Sequence, residues 1–334
     1  MGACIKAISY YLPEKILNNE ELSRIFPEYT PEEIFRRTGI KERHIAAEDE
    51  IPSDSAVTAT AKFFAEHPVH KKEDIDFLIF TTEMVDRRGP ATACVLQNKL
   101  GLPTNLGAID IPMGCSGFVY GLMVANALIH SKVAKNVLFL TGDAATKVIH
   151  PKDHELRMIF GDAMAVTLIS EAENSGIGSF VVGTDGSGAS NLIVEGCCGA
   201  EKPTCEWLDK YSDAGGMAYG MLSMNGPEIL TFSLKKVPPL VKELLEKEKL
   251  AIEDIDLFIF HQASGFMLEV LRRKMKIPKE KFFTNMEYVG NTVAATIPLA
   301  LYDAMKTGKA GKGDKVLIAG FGIGYSWGAT ILTI

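Results

Sequence analysis

The sequence predicts an α/β protein made of two related halves, and three ordered internal matches carry that prediction. Glu73–Glu83 (EDIDFLIFTTE) matches Glu253–Ala263 (EDIDLFIFHQA) without a gap. Lys135–Asp143 (KNVLFLTGD) then matches Asp314–Gly322 (DKVLIAGFG), and Phe160–Ile169 (FGDAMAVTLI) matches Trp327–Ile334 (WGATILTI). Self-similarity repeated in one order, here at offsets of 180, 179 and 167 residues, is the mark of a duplicated unit. The join falls near Ser170–Gly176, which sets the expected halves at 1–172 and 173–334.

The matched runs are short, continuously apolar and bounded by Gly, Asp or Lys, as strands buried on both faces are. Between them lie helical patterns. Gly117–Ser131 (GFVYGLMVANALIHS) carries apolar residues around so much of its circumference that it belongs deep in the core. Pro238–Leu250 (PPLVKELLEKEKL) has a charged outer face, and Thr296–Lys309 (TIPLALYDAMKTGK) repeats the helical pattern in the second half. Strand, helix, strand in each half predicts βαβ units and mainly parallel sheets. The least regular stretch runs from Thr184 to Asn225 and reads as a long surface or functional loop.

Composition narrows the function. A chain of 334 residues with 47% hydrophobic and 23% charged residues buries a sizeable core, and its formal charge of −7 sets it against the phosphate backbone of nucleic acid. No run of eighteen apolar residues predicts a membrane span, and MGACIKAISYYLP lacks the pattern of a leader, so a cytoplasmic protein is expected. Six cysteines then read as reduced thiols.

One of them, Cys115 in IDIPMGCSGFVYGL, stands between a strand end and a buried helix. Backbone N–H groups and the helix dipole there favour a thiolate, and Gly114, Ser116 and Gly117 are expected to leave space for a substrate. The local sequence equally fits a cysteine that serves as a small core hydrophobe. His261, in FIFHQAS, follows a buried strand at the place where α/β sheets gather ligands; its counterpart in the first half is Thr81, so the fold does not demand histidine. Asn291, in YVGNTVAATIPLAL, sits at a turn before a helix, where a capping role would also suit it. Converging strand ends would put all three in one pocket.

These residues and their surroundings resemble the β-ketoacyl-acyl-carrier-protein synthase III family of the thiolase fold. The likeness rests on CSGF, HQAS, GNTVAATIPLAL and GFGIGYSWGA, with RRTGIKERHIA and IFGDAMAV in support, and it spans essentially the whole chain. It implies a layered α/β/α/β/α body in which Cys115 takes an acyl group from a thioester. The backbone N–H groups of Cys115 and Ile323 would form the oxyanion hole. His261 and Asn291 would bind the carbonyl of a malonyl thioester on acyl carrier protein, stabilising the enolate left by decarboxylation before it attacks the acyl group. The resemblance further implies a homodimer and a reaction with no metal or redox cofactor.

Four features depart from that family. Its adenine clamp, a tryptophan and an arginine, is replaced by Glu33 and His154, although a phosphate-contacting arginine persists as Arg37. Ser264 stands where an asparagine holds pantetheine, keeping a hydroxyl donor. Together these favour a carrier-borne acyl donor over free acyl-coenzyme A. Gly89 falls where relatives place a bulky residue that closes the acyl pocket across the dimer, and it equally suits a turn with Pro90. Arg273 and Lys274 align with a carrier-docking helix, or form a solvated face. Finally, Glu83 aligns near the catalytic glutamate of hydroxymethylglutaryl-coenzyme A synthase and head-to-head condensers. A base there defines an alternative, non-decarboxylative condensation; a strand-end charge in water is the plain reading. A non-catalytic acyl-binding subunit is the third reading.

Two ligand readings are set aside. GFGIG leads into a strand rather than a helix, so it is not a dinucleotide fingerprint, and Cys197, Cys198 and Cys205 lack zinc-site spacing.

Overall fold

The structure, a computed structural model, describes residues 2–194 and 220–334. In chain order its strands are β1 (Gly2–Tyr11), β2 (Lys15–Asn18), β3 (Glu42–Ile45), β4 (Phe77–Thr81), β5 (Gly107–Ile111), β6 (Asn136–Asp143) and β7 (Ala163–Ala172), then β8 (Val181–Thr184), β9 (Leu192–Val194), β10 (Leu222–Met224), β11 (Leu257–Phe260), β12 (Lys315–Gly322) and β13 (Ser326–Thr333). Cys197, Cys198 and Cys205 lie outside the described residues.

Two larger sheets repeat one plan. The first runs β1-β7-β6-β4-β5, and the second runs β8-β13-β12-β11 when read the same way. Each strand of the second therefore has its counterpart in the first, and only β5 lacks a full one. Its place is marked by a single parallel bridge between Phe258 and Phe282. The three sequence matches correspond to β4 with β11, β6 with β12, and β7 with β13.

The expectation of mainly parallel sheets is corrected. β5, β4 and β6 are parallel, as are β11 and β12, whereas β7 runs antiparallel to β6 and β1, and β13 runs antiparallel to β12 and β8. Connection length explains the second sheet. Only Ile323–Tyr325 join β12 to β13, and a parallel crossover needs about a dozen residues or more.

Helices complete five layers. Gly117–His130 and Thr296–Lys306 lie between the sheets and touch strands of both; Pro52–Glu66 covers the outer face of the first sheet, and Gly226–Glu248 covers that of the second. The middle layer is why Gly117–His130 is apolar nearly all round. Phe118, Val119, Leu122 and Ile297 pack there against Ile79, Phe139, Ile259 and Ile318 from the two sheets.

The helix Gly226–Glu248 begins well before the predicted start and carries Pro238 and Pro239 inside it. A proline at 238 cannot donate to the carbonyl of Leu234, and the Lys274 ammonium takes that carbonyl at 3.0 Å. A fully buried Arg43 ties the antiparallel β2–β3 pair to the chain before Phe160, donating to Leu17 O (3.1 Å), Asn19 Oδ1 (2.8 Å) and Met158 O (2.7 Å). The two terminal nitrogens of the buried guanidinium find acceptors, while its Nε has no partner. Among the described residues, no helix is long and apolar enough to cross a membrane.

Candidate active site

The three candidate side chains reach one place from two layers. Cys115 lies one residue before the N-cap of the central helix Gly117–His130. His261 directly follows β11, its N–H donating to Ala319 O at 2.8 Å. Asn291 is fixed by its backbone: its N–H donates to Ile159 O (2.9 Å), and its carbonyl accepts from Gly161 N–H (3.0 Å). All three are buried, and all three line a narrow cavity of about 170 Å³, together with Ser264, Phe266 and Phe321. Cys115 also lines a second cavity of about 640 Å³, whose walls include Met84, Met113, Val148, Phe160, Leu192 and Ile323. The sulfur thus stands where two spaces meet.

The small residues around Cys115 serve packing rather than the substrate, which corrects the expectation. A Cβ on Gly114 would lie 2.8 Å from Ile323 Cγ2, and one on Gly117 would lie 2.5 Å from Thr81 Cγ2. The Ser116 hydroxyl is buried and paired with Ser326 Oγ at 2.6 Å. The decisive glycine is Gly322, at the end of β12, where a Cβ would stand 2.7 Å from the Cys115 sulfur. This contact packs the end of β12 directly against Cys115.

The expected ease of forming a thiolate is also corrected. Burial pushes the Cys115 thiol up to about 12, and the carboxylates of Asp143 and Glu83 add to the shift; the N–H groups of Ile323 and Cys115 itself, directed at the sulfur, act the other way. Burial thus favours the protonated thiol. Those two N–H groups are the pair predicted as the oxyanion hole.

The donors opposite are well defined. Burial pushes the His261 imidazole down to about 3, which keeps the ring neutral. Its Nδ1 lies 2.8 Å from Thr296 Oγ1, and its edge meets Phe321. The Asn291 amide is oriented by its neighbours: Oδ1 accepts from Val293 N–H at 3.0 Å and Nδ2 donates to Ala263 O at 3.3 Å. One N–H of that amide remains for the cavity. Val293 is held at φ 52°, a strained conformation for a β-branched residue.

Glu83 lines the larger cavity beside Gly114. The residue is exposed, so water in the cavity shares in solvating it; the protein around its carboxyl and the charge of Asp143 move it upward from the usual carboxylate range. Asp143, missed in the sequence, is fully enclosed and raised to about 6 by burial. It accepts from Thr82 Oγ1 (2.9 Å) and from Glu83 N–H (2.8 Å), with Ala294 N–H at 3.5 Å. It therefore ties the Glu83 turn to the Asn291–Ala295 turn.

The remaining candidates lie around the narrow cavity or away from it. Ser264 is the N-cap of the helix Gly265–Lys274: its Oγ accepts from Met267 N–H at 3.2 Å, which leaves the hydroxyl proton free to donate. Phe266, 59% exposed, stands beside it at the cavity wall. In the last turn of this helix Arg272 and Arg273 both pair with Glu269, and Lys274 is engaged as described. Arg37 lies 5.0 Å over the ring of Tyr29, which stacks on His154. Glu33 closes a capping box with Thr30. Gly89 is exposed and lines neither cavity of its own chain.

Comparison with known proteins decides the family. The profile of 3-oxoacyl-[acyl-carrier-protein] synthase III matches residues 109–186, and that of its C-terminal region matches residues 245–334. The β-ketoacyl-[acyl-carrier-protein] synthase III of Clostridium perfringens is 37% identical over 97% of this chain and 97% of its own length. The chain belongs to the synthase III family. A crystal structure of a 3-oxoacyl-(acyl-carrier-protein) synthase III superimposes with a TM-score of 0.96 at 41% identity, covering 100% of both chains. The Thermus thermophilus synthase III follows with a TM-score of 0.89 at 34% identity over 99% of each. As a member, the chain is a condensing enzyme with the thiolase-like fold, an acyltransferase that forms a carbon–carbon bond.

Proposed function

We propose that Cys115 is the nucleophile that accepts an acyl group from a thioester, and that His261 and Asn291 bind a malonyl thioester on acyl carrier protein. The N–H groups of Cys115 and Ile323 receive the oxyanion during acyl transfer. Loss of carbon dioxide from the malonyl unit then leaves an enolate, whose oxygen the two opposing donors stabilise, and the enolate carbon attacks the acyl-Cys115 carbonyl. The tetrahedral adduct collapses to the β-ketoacyl product on the carrier and expels the Cys115 sulfur, which takes a proton from water to regenerate the thiol. Decarboxylation itself supplies the carbanion, so the reading calls on no metal or redox cofactor.

The observation that carries this reading is the narrow cavity lined at once by Cys115, His261 and Asn291. Division of space supports it further. The malonyl arm needs the narrow cavity and Ser264, which leaves the apolar cavity of about 640 Å³ for an acyl chain larger than acetyl. In this reading residues 1–172 supply the nucleophile and residues 173–334 the decarboxylating donors.

The carrier would dock beside the helix Gly265–Lys274, with Arg273 and Lys274 at its far end and Arg37 near its start. There Gly39, at φ 73°, brings the preceding helix within 3.1 Å of Gly265 for an added Cβ. The self-stacked Tyr29 and His154 favour a carrier-borne donor over one that must seat an adenine. A homodimer fits the edge strand β5, which among the described residues pairs only with β4 and is half-buried along its length. Gly89 would then face the partner's pocket. A cytoplasmic enzyme of fatty acid or polyketide-like synthesis is the setting that matches.

Intact-mass measurement after exposure to acyl-carrier and acyl-coenzyme A donors tests the first step. One acyl adduct on the native protein and none on Cys115→Ala is expected. Product formed from acyl thioesters with no malonyl component would instead favour Glu83 as the base of a non-decarboxylative reaction.

A further inference from the structure

We propose that Ser116 and Ser326 are positioning residues whose hydroxyls form a bridge that sets the spacing of the two oxyanion-hole donors. The inference rests on the proposed role of the Cys115 and Ile323 N–H groups in acyl transfer. Those donors come from opposite halves of the duplicated fold, so contacts between the halves fix the distance across the hole. Packing supplies one such contact. Two glycines let β12 touch the nucleophile turn: a Cβ on Gly320 would lie 2.9 Å from Ser116 Cα, and one on Gly322 would lie 2.7 Å from the Cys115 sulfur.

Hydrogen bonds supply the other. Ser116 Oγ stands 2.6 Å from Ser326 Oγ, which in turn stands 2.9 Å from Ile323 O. Both serines are buried. Counting protons gives the bridge a direction. Ser116 Oγ has no other hydrogen-bond partner among the described residues, so it donates to Ser326, and Ser326 uses its own proton on Ile323 O. The reverse order would leave the Ser116 proton buried without an acceptor, which is costly.

The bridge therefore runs from the residue beside Cys115 to the residue whose N–H is directed at the sulfur. Ile323 O also accepts from Ser326 N–H, so Ser326 alone holds both lone pairs of that carbonyl. The link it steadies is bent, with Gly324 at φ 71° and Tyr325 at φ 46°. The two bonds from Ser326 keep the shape of this link. Only the bond from Ser116 ties that shape to the nucleophile turn.

Removing one hydroxyl at a time tests this. In Ser116→Ala and in Ser326→Ala, acylation of Cys115 followed by intact mass should slow about tenfold, less than the cost of deleting an oxyanion donor outright. The double variant should be no slower than Ser326→Ala, because both changes open one bridge. Ser326→Thr keeps a hydroxyl and has the wide cavity beside it for the added methyl, so its rate should stay within about threefold of the native rate. Carbon dioxide release from malonyl carrier protein, which uses the other donors, should change less than about twofold in every variant.

The infrared band of a carbon-13-labelled acyl-Cys115 carbonyl reads the hole directly. Two well-placed N–H groups weaken the carbonyl bond, so the native band should lie below that of the same thioester in water and move up towards it in both alanine variants. An unchanged acylation rate or an unchanged band in a folded alanine variant overturns the inference, as does an equal loss of acylation and decarboxylation. Each alanine variant is decisive alone, so failure of one to fold leaves the other. If native Cys115 takes no acyl group from any donor, the proposed nucleophile fails; if it is acylated with a lowered band that neither variant shifts, only the bridge fails.

Discussion

The two turns that enter the central helices occupy matching places in the duplicated fold and carry opposite chemistry. In the first half, Cys115–Ser116 leads into Gly117–His130 and presents a sulfur with two backbone N–H groups. In the second, Asn291–Ala295 leads into Thr296–Lys306 and presents an amide N–H beside a neutral imidazole. In the proposed reaction one turn serves nucleophilic attack and the other holds an oxyanion. Duplication fixed the geometry by making both helices share a layer, and divergence at a few side chains then divided the work.

Breaking one turn at a time should therefore break one partial reaction at a time. The largest effect belongs to the first turn: Cys115→Ala should lower condensation by at least about 10,000-fold, measured as product from matched acyl and malonyl donors, because no second nucleophile stands at the meeting of the cavities. Gly322→Ala comes next. Its new Cβ would lie 2.7 Å from the sulfur, so acylation should fall by about 100-fold or more in intact-mass time courses. Circular dichroism should show the fold retained.

A third prediction concerns the second turn and pH. His261 is neutral in the folded protein down to about pH 3, while in the unfolded chain it gains a proton near 6.5. The unfolded state then binds more protons between those values, so stability falls as pH falls through that window. Denaturant melts should show native protein losing up to about 5 kcal/mol more than His261→Asn between pH 6.5 and 3. Equal slopes for the two proteins would mean that the ring is solvated or charged. The smallest effect lies outside both turns. Arg273→Glu should raise KM for malonyl carrier protein about three- to tenfold at low salt, with little change in kcat and a weaker effect at high salt.

Much of the frame was legible in the sequence because buried strands must be continuously apolar whatever they later carry. The pairs β4 with β11 and β6 with β12 stood out for that reason. Cys115, His261 and Asn291 were legible through the motifs that resemble a known family; taken locally, each also fitted a plain structural role, as a core thiol, a satisfied histidine and a turn cap. Strand direction was not, since β7 and β13 are as apolar as parallel strands and only the short Ile323–Tyr325 link separates the cases. Gly322, Asp143 and Thr296 were missed for a different reason. Each acts through a neighbour that is distant in the chain: Gly322 by making room for the Cys115 sulfur, Asp143 by holding Ala294, and Thr296 by contacting His261. The one available signal was Gly320 and Gly322 flanking Phe321 at a strand end, where two residues without side chains call for a close neighbour. The thiol's raised affinity for its proton was likewise invisible, because a helix start favours the thiolate and only packing reveals how little water reaches it.

The division of labour between the turns is tested most directly by carbon dioxide release from malonyl carrier protein by Cys115→Ala, set beside acyl uptake by Asn291→Ala. The account predicts that Cys115→Ala still decarboxylates while taking up no acyl group, and that Asn291→Ala is acylated while releasing carbon dioxide at least about 100-fold more slowly than native protein. Loss of both partial reactions in either variant, with the fold intact, would contradict it.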